Sequence, residues 1–178
     1  MKYNFDEIID RHNTDAIKIE RCKALFGTED ILPLWVADMD FKTPDFIIDA
    51  AKTHCDHPIF GYSKFPKEMF PAMIRWIKNL HQWDVKRDWL GFVPGIVSGI
   101  AFAIDAYTQA GDEIIVQPPV YYPFMDVVNK AGRKLVYNQL KEVNGQFEMD
   151  FEDLMSKITP ATKMLIMSNP HNPGGKIW

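Results

Sequence analysis

Three short runs of β-branched and other apolar residues alternate with helical stretches in the second half of the chain, and this alternation constrains the fold more than any other feature. The runs are residues 113–116, 134–137 and 163–167. Residues 123–131 and 150–157, which lie between the runs, have helical patterns. Strands that alternate with helices favour a mostly parallel sheet with helices on both faces, so we predict an α/β fold.

The first half of the chain carries signals for two helices. A Thr-Pro-Asp triplet is a typical helix start, and the apolar residues that follow it recur at helical spacing, which predicts a helix over residues 44–55. Apolar residues at every third or fourth position predict a second helix within residues 66–83. A proline inside a helix removes a backbone hydrogen bond, so this helix either starts near Phe70 or bends at Pro71.

A glycine turn joins a predicted strand to a predicted helix. Residues 90–93 predict a buried strand, and residues 96–107 are apolar nearly all round, which predicts a buried helix. Gly95 lets the backbone approach a ligand, and the first N–H groups of the helix lack intrahelical partners, so they suit a phosphate. The other interpretation of this glycine turn is an ordinary strand-to-helix connection that binds no ligand. The candidate phosphate cradle consists of Gly95, Ile96, Val97 and the Ser98 hydroxyl.

A rigid loop follows the last apolar run. Residues 168–175 read Ser-Asn-Pro-His-Asn-Pro-Gly-Gly, which packs turn-forming residues around two amides. Ligands usually lie at the carboxyl ends of strands in α/β sheets, so this loop can hold the Asn172 amide towards a ligand. The alternative is a helix-capping turn, because Asn before Pro is a common cap and first-residue pair.

The composition excludes several classes of function. The chain is 47% hydrophobic and 25% charged, and none of its apolar runs approaches the length of a membrane span. Residues 1–7 lack the apolar segment of an export signal, so we expect a cytoplasmic protein. A formal charge of −4 gives no basic face for nucleic acid, and Cys22 and Cys55 are too few for a disulfide framework.

Residues 54–57, His-Cys-Asp-His, contain four potential metal ligands. Adjacent residues on a helix point in different directions, and a zinc site usually draws ligands from a second segment. We therefore interpret these residues as the end of a helix that stops at His57-Pro58, and we predict no metal site.

Five motifs in a fixed order resemble one enzyme family. They are Trp-Val-Ala-Asp-Met-Asp-Phe at 35–41, Phe-Gly-Tyr-Ser at 60–63, Pro-Gly-Ile-Val at 94–97, Pro-Pro-Val-Tyr-Tyr-Pro-Phe at 118–124, and the loop at 168–175. In this order they resemble the fold-type I pyridoxal-phosphate enzymes, and within them the cystathionine β-lyase branch of the class I/II aminotransferase family. The resemblance runs from about residue 35 to residue 178.

The resemblance implies that the chain binds pyridoxal 5′-phosphate (PLP) and assigns parts of the site. The family places the cofactor phosphate at Gly95, Ile96 and Val97. By its position in the family motif, Tyr121 is implied to stack on the pyridine ring. The residues alone leave a core tyrosine as the alternative and leave the choice between Tyr121 and Tyr122 open. The Asn172 amide is implied to donate a hydrogen bond to the phenolate oxygen.

Two further assignments concern residues in the first part of the chain. In relatives, the tyrosine that matches Tyr62 reaches across a homodimer interface to the cofactor phosphate of the other subunit. The segment 35–41 is implied to line the substrate entrance, with the Ala37 backbone contacting the substrate carboxylate. The residues alone leave an edge strand with a solvated Asp38 and Asp40 as an equal alternative.

The resemblance also implies a longer protein. The Schiff-base lysine, the aspartate that pairs with the pyridine nitrogen and the arginine that holds the substrate carboxylate are all expected beyond Trp178. We therefore expect residues 1–57 to contribute to a small domain, and residues 58–178 to be the first part of a large cofactor-binding domain.

Three functions remain open from the sequence. The resemblance implies a carbon–sulfur β-lyase that cleaves cystathionine-like amino acids to a thiol, pyruvate and ammonia. An aminotransferase on the same scaffold is the first alternative. The second, from another class, is a non-catalytic protein that binds a partner, should the chain truly end at Trp178.

Overall fold

A computed structural model describes residues 3–178, which form two compact units, residues 3–66 and Lys67–Trp178. Met1 and Lys2, which belong to the predicted N-terminal segment, lie outside the described residues. The assignment of residues 1–57 to a small domain and of residues 58–178 to a large domain stays a prediction.

The first unit contains three helices and long irregular segments. The helices are α1 (Ile17–Glu20), α2 (Cys22–Phe26) and α3 (Asp45–Cys55). Pro44 occupies the N-cap position of α3, so the helix predicted over residues 44–55 is confirmed. The helix ends at Cys55 with Asp56 as its C-cap, as the His-Cys-Asp-His pattern predicted.

The second unit contains four α-helices and a short 3₁₀ turn. The helices are α4 (Met69–His81), α5 (Ile96–Tyr107), α6 (Pro123–Lys130) and α7 (Phe151–Lys157), and the 3₁₀ turn is Arg87–Trp89. Pro71 lies in the first turn of α4, where a backbone N–H would have no intrahelical partner in any case. Of the two alternatives for Pro71, a helix start near Phe70 is therefore correct.

A three-stranded parallel sheet forms the centre of the second unit, which confirms the predicted α/β fold. It contains β1 (Glu113–Val116), β2 (Lys134–Tyr137) and, after a separate hairpin of β3 (Lys141–Val143) and β4 (Gln146–Glu148), β5 (Thr162–Ile166). The strand order is β2-β1-β5, and both pairings of β1 are parallel. The carboxyl ends of β1 and β5 therefore lie side by side.

The hydrophobic core lies between the sheet and the helices α5 and α6. All four residues of β1 are buried, because a strand occupies each of its edges. The core cluster consists of Ile104, Ile114, Val116, Val120, Phe124, Val128 and Ile166. Tyr121 is half-buried and packs against this cluster. The core thus holds the start of the loop that follows β1.

Two predictions in the second unit are wrong. Residues 90–93 form no strand and are mostly exposed, because a strand needs a partner for its backbone and these residues pair with neither edge of the described sheet. Helix α5 forms as predicted, but Ile104 is its only buried residue in the described structure, and Ile96, Phe102 and Tyr107 are exposed.

The β3–β4 hairpin was not predicted. Its turn is Asn144-Gly145, and both residues have positive φ angles (53° and 74°). An Asn-Gly pair between two short strands is a strong hairpin signal, so the sequence did contain the information.

None of the helices in residues 3–178 has the length and hydrophobicity that crossing a lipid bilayer requires.

Candidate functional site

The loops that follow β1 and β5 meet at the carboxyl edge of the sheet. The backbone N–H of Tyr121 donates to the carbonyl of Asn172 over 2.8 Å. The two residues are far apart in the sequence, and they meet because their strands are parallel neighbours. This edge is where ligands bind in open α/β sheets. The structure thus brings together two of the predicted site residues.

Asn172 is held by its backbone while its side chain stays free. Its N–H donates to the Ser168 hydroxyl over 3.2 Å, and its carbonyl accepts from Tyr121. The side chain is exposed, and its amide has no hydrogen-bond partner within residues 3–178. The helix-cap alternative is wrong, because no helix begins in the described residues after 168. A rigid loop therefore presents an unpaired amide donor to solvent.

His171 ties the two loops together and is almost completely buried, with 2% of its surface exposed. Its Nε2 lies 2.7 Å from the carbonyl of Pro119, which can only accept, so Nε2 carries the hydrogen. Its Nδ1 is buried without a hydrogen-bond partner in residues 3–178. The burial of the ring and its contact with Pro119 favour the structural role for His171 over a proton shuttle.

Several residues that support this loop were not predicted. Trp178 donates through Nε1 to the Ser168 carbonyl over 2.9 Å, and Lys176 donates to the Phe147 carbonyl over 2.7 Å. A Cβ on Gly174 would lie 2.9 Å from both the His171 and the Phe147 rings. The β3–β4 hairpin therefore buttresses the loop, and the Asn-Gly turn was the signal that would have revealed it.

The candidate phosphate cradle lies at the start of α5. Gly95 is the N-cap residue, with φ +115° and ψ 159°, a conformation that only glycine adopts readily. A Cβ there would meet no atom within 4 Å, so the space in front of the helix is open. No side chain caps the helix. No hydrogen bond within residues 3–178 joins Gly95, Ile96 or Val97 to Tyr121 or Asn172.

The Tyr121 ring belongs partly to the core. Its centroid lies 5.8 Å from that of Phe124 in an edge-to-face arrangement, and 5.6 Å from that of Tyr122. Tyr122 is exposed, whereas Tyr121 is half-buried. The core interpretation of Tyr121 is thus correct for part of the ring, and its role in stacking stays a prediction.

The predicted site residues of the first unit are exposed. Tyr62 is fully exposed in an irregular segment, and Ala37 is exposed beside Val36, whose φ is +62°. The edge-strand alternative for residues 35–41 is wrong, because the segment forms no strand and its acidic side chains are paired. Arg11 binds both Asp38 and Asp40, and its Nη1 lies 2.9 Å from Asp40 Oδ1.

These pairs hold the two carboxyl groups in their charged form. The hydrogen bond from Arg11 lowers the pKa of Asp38 below its ordinary value. For Asp40, the hydrogen bond from Lys18, whose Nζ lies 2.7 Å from Oδ2, is the larger cause of a lowered pKa, and Arg11 adds to it. Among residues 3–178, no group of three or more His, Cys, Asp or Glu side chains is placed to hold a metal ion.

Comparison with known proteins defines the family. The family model described as aminotransferase class I and II matches residues 29–178. This chain belongs to that family. Its fold is the fold-type I architecture of the PLP-dependent enzymes, as the resemblance implied.

Named relatives include lyases. Cystathionine β-lyase PatB of Bacillus subtilis is 43% identical over 98% of this chain and 46% of its own length. Cystalysin of Treponema denticola, whose structure contains PLP, matches with a TM-score of 0.91 at 32% identity, over all of this chain and 46% of its own. The PLP-bound C–S lyase of Staphylococcus hominis matches with a TM-score of 0.89 at 34% identity, also over all of this chain and 46% of its own. The chain thus spans about half the length of these relatives.

Proposed function

We propose that the complete protein is a PLP-dependent carbon–sulfur β-lyase. It would cleave cystathionine-like amino acids by β-elimination to a thiol, pyruvate and ammonia. The observation that carries the binding of PLP is the unpaired Asn172 amide on a rigid loop, joined by backbone to the Tyr121 loop at the carboxyl edge of the sheet. The Trp-Val-Ala-Asp-Met-Asp-Phe segment at 35–41 favours a β-lyase over an aminotransferase. The relatives named as a cystathionine β-lyase and a C–S lyase support the same activity.

The residues present fit a phosphorylated pyridine. The free N–H groups at the start of α5 suit a dianionic phosphate, and Gly95 leaves open space in front of them. The Tyr121 ring offers an aromatic face, worth about 0.5–1.5 kcal/mol beyond its buried area in an offset or edge arrangement. The Asn172 amide offers a donor for the phenolate oxygen. These residues would therefore hold the phosphate, the ring and the ring oxygen of PLP.

The chain contributes orientation and charge to the reaction. Bound PLP would supply a ring that accepts electrons as the substrate Cα loses its proton. Asn172 would stabilise negative charge on the ring oxygen, and Tyr121 would keep the ring in one plane. The Ala37 backbone would contact the substrate carboxylate. Loss of the Cα proton and of the Cβ–S bond would release the thiol, and hydrolysis would yield pyruvate and ammonia.

Two alternatives and two further features belong to this proposal. The family name favours an aminotransferase as the second candidate, since transamination begins with the same loss of the Cα proton. A partner-binding protein without catalysis is the candidate of another class. We also propose that the protein is a homodimer in which Tyr62 reaches the cofactor of the neighbouring subunit, and that it acts in the cytoplasm.

The decisive experiment adds L-cystathionine to the complete protein loaded with PLP. Pyruvate and a free thiol should form continuously without any added 2-oxo acid. An aminotransferase would stop after a single turnover until a 2-oxo acid is supplied, because the amino group stays on its cofactor. Sustained activity only with a 2-oxo acid would replace the lyase by the aminotransferase, and failure of the complete protein to bind PLP would favour the partner-binding protein.

A further inference from the structure

The backbone of the segment 35–41 is held in a costly conformation at one residue. Val36 has a φ of +62°, in the left-handed region, where a β-branched side chain is a genuine outlier. Such a conformation persists only where the surrounding structure imposes it, and it is common next to functional groups. Val36 directly precedes Ala37, the proposed contact of the substrate carboxylate. Contacts from Lys18 and Arg11 hold the chain on either side of this residue.

Lys18 holds the chain on both sides of Val36. The Lys18 carbonyl accepts a hydrogen bond from Trp35 Nε1 over 3.1 Å, and Lys18 Nζ donates to the Asp38 carbonyl over 3.1 Å. The Lys18 side chain is 9% exposed, so its position is well defined. One buried residue thus holds the Trp35 side chain immediately before the Val36–Ala37 pair and the Asp38 backbone immediately after it.

Arg11, which precedes α1 in the chain, binds the same acidic residues from a second segment. Its guanidinium binds Asp38 through one nitrogen and Asp40 through the other, and only 24% of the side chain is exposed. Lys18 Nζ binds the second oxygen of Asp40 over 2.7 Å. Two cations and two carboxylates therefore form one network, which we call the Arg11–Lys18 clamp.

The clamp also balances charge beside Ala37. Asp38 and Asp40 bring two negative charges within three residues of Ala37, and an unpaired carboxylate there would repel an anionic group. Arg11 and Lys18 bring two positive charges, so the network is neutral when all four groups are ionised. The contacts that hold the backbone and the balance of charge thus both favour binding of an anionic group at Ala37.

We propose that Arg11 and Lys18 are positioning residues for substrate binding. Through Asp38 and Asp40 they hold the Val36–Ala37 backbone in the conformation that accepts the α-carboxylate of an amino acid. The inference rests on the proposed function in that it takes an amino acid as the ligand, but it does not depend on whether the reaction is elimination or transamination. Neither residue needs to touch the substrate.

The first test measures the backbone directly in the complete protein without PLP. Arg11→Gln should accelerate hydrogen–deuterium exchange of the amides in residues 35–41, because one end of the clamp is lost. Arg21→Gln is the matched control, since Arg21 is exposed and forms no ion pair within the described part of the chain. Unchanged exchange in Arg11→Gln would overturn the proposal.

The second test separates positioning from a general structural effect. L-Alanine and its decarboxylated counterpart, ethylamine, have no leaving group on Cβ and are not cleaved by β-elimination. They are titrated into the PLP-loaded complete protein, and binding is followed by the visible spectrum of the cofactor. In Arg11→Gln the amino acid should bind on the order of tenfold to a hundredfold more weakly, as expected for a misplaced binding group. Binding of the amine, which has no carboxylate, should stay unchanged.

Each outcome of the second test is informative. Equal weakening of both ligands would show a merely structural role and overturn the proposal, as would unchanged binding of both. Should Arg11→Gln fail to fold, Asp38→Asn is the milder variant, because it removes one ion pair and keeps the shape of the side chain. Wild-type protein that binds L-alanine but forms no pyruvate from L-cystathionine would refute the lyase, and the clamp would remain testable by binding.

Discussion

Asn172 shows how one side chain gains a function from the backbone around it. Its N–H and C=O are both bonded within the two loops, so the amide group can be aimed without ordering a flexible chain on each binding event. Its neighbour Asn169 instead accepts a hydrogen bond from the Trp178 N–H over 3.2 Å. The two asparagines of the motif therefore have different tasks, one towards a ligand and one towards the loop.

Replacing Asn172 by alanine should raise the pH at which the visible band of bound PLP titrates. The variant keeps the cradle at Gly95 and should still bind the cofactor, but it lacks the donor to the ring oxygen. A hydrogen bond to a charged group is worth about 1.5–3 kcal/mol, so the titration midpoint should rise by about one to two pH units. The midpoint is measured from the visible absorbance of the cofactor against pH. Asn169→Ala is the control from the same loop. Coincident titration curves for Asn172→Ala and wild type would show that Asn172 has only a structural role in the loop.

Gly174 is required by close packing, since a Cβ would contact two rings at 2.9 Å. Gly174→Ala should therefore destabilise the complete protein by about 1–3 kcal/mol, the usual penalty of overpacking. Urea unfolding of the PLP-free protein measures the change. Gly91→Ala is the matched control, because a Cβ at Gly91 meets no atom within 4 Å. Equal stability of the two variants would mean that the rings can move away.

At the scale of elements, Glu113 joins all three strands of the parallel sheet. It lies at the start of β1 with only 7% of its surface exposed. Its Oε1 lies 2.6 Å from Lys134 Nζ on β2, and its Oε2 accepts from the Thr162 hydroxyl on β5 over 3.2 Å and from the Thr159 hydroxyl over 2.7 Å. The hydrogen bond from Lys134 is the largest cause that lowers the pKa of Glu113, and that from Thr159 is the next.

This lowered pKa predicts a pH dependence of stability. The ordinary pKa is 4.5, so the ionised Glu113 stabilises the folded state above that pH, and the contribution is lost as the pH falls through the lower folded value. Glu113→Gln should be less stable than wild type at neutral pH, and the difference should shrink at about pH 4 and below. Urea unfolding at several pH values measures it. Glu142→Gln is the control, because Glu142 is exposed and has no ion pair in the described structure. A difference in the free energy of unfolding between Glu113→Gln and wild type that does not change with pH would contradict the prediction.

At the scale of the whole molecule, the proposed homodimer makes a quantitative prediction. Tyr62 is fully exposed in its own chain, as a residue that serves a neighbouring subunit must be before assembly. The variants Tyr62→Phe and Asn172→Ala should each lose most activity. When they are mixed and exchange subunits, half of the dimers are hybrids with one intact site of two, so about a quarter of wild-type activity should return. The measurement is pyruvate release, with exchange proved by mass-tagged subunits; full exchange without recovery would argue against a shared site.

The sequence predicted most of the helices and strands of the second unit. Strands β1, β2 and β5 and the helices α4 to α7 follow from patterns of apolar residues, because a period of two or of 3.6 residues is a local property of the chain. Residues 90–93 show the limit of this reading. Their apolar run has the propensity for a strand, but a strand also needs a partner, and partners are chosen by the whole fold.

The motifs likewise identified the family, since the order of motifs is contained in the sequence, and they suggested the residues of the candidate site, which stay a prediction. Only the tertiary structure decided how those residues are held. The bond between Tyr121 and Asn172, the contact of His171 with Pro119 and the pairing of Asp38 and Asp40 with Arg11 join residues 27 to 52 positions apart. Such contacts depend on which strands are neighbours and where loops return, and no local pattern along the chain encodes that distance in space.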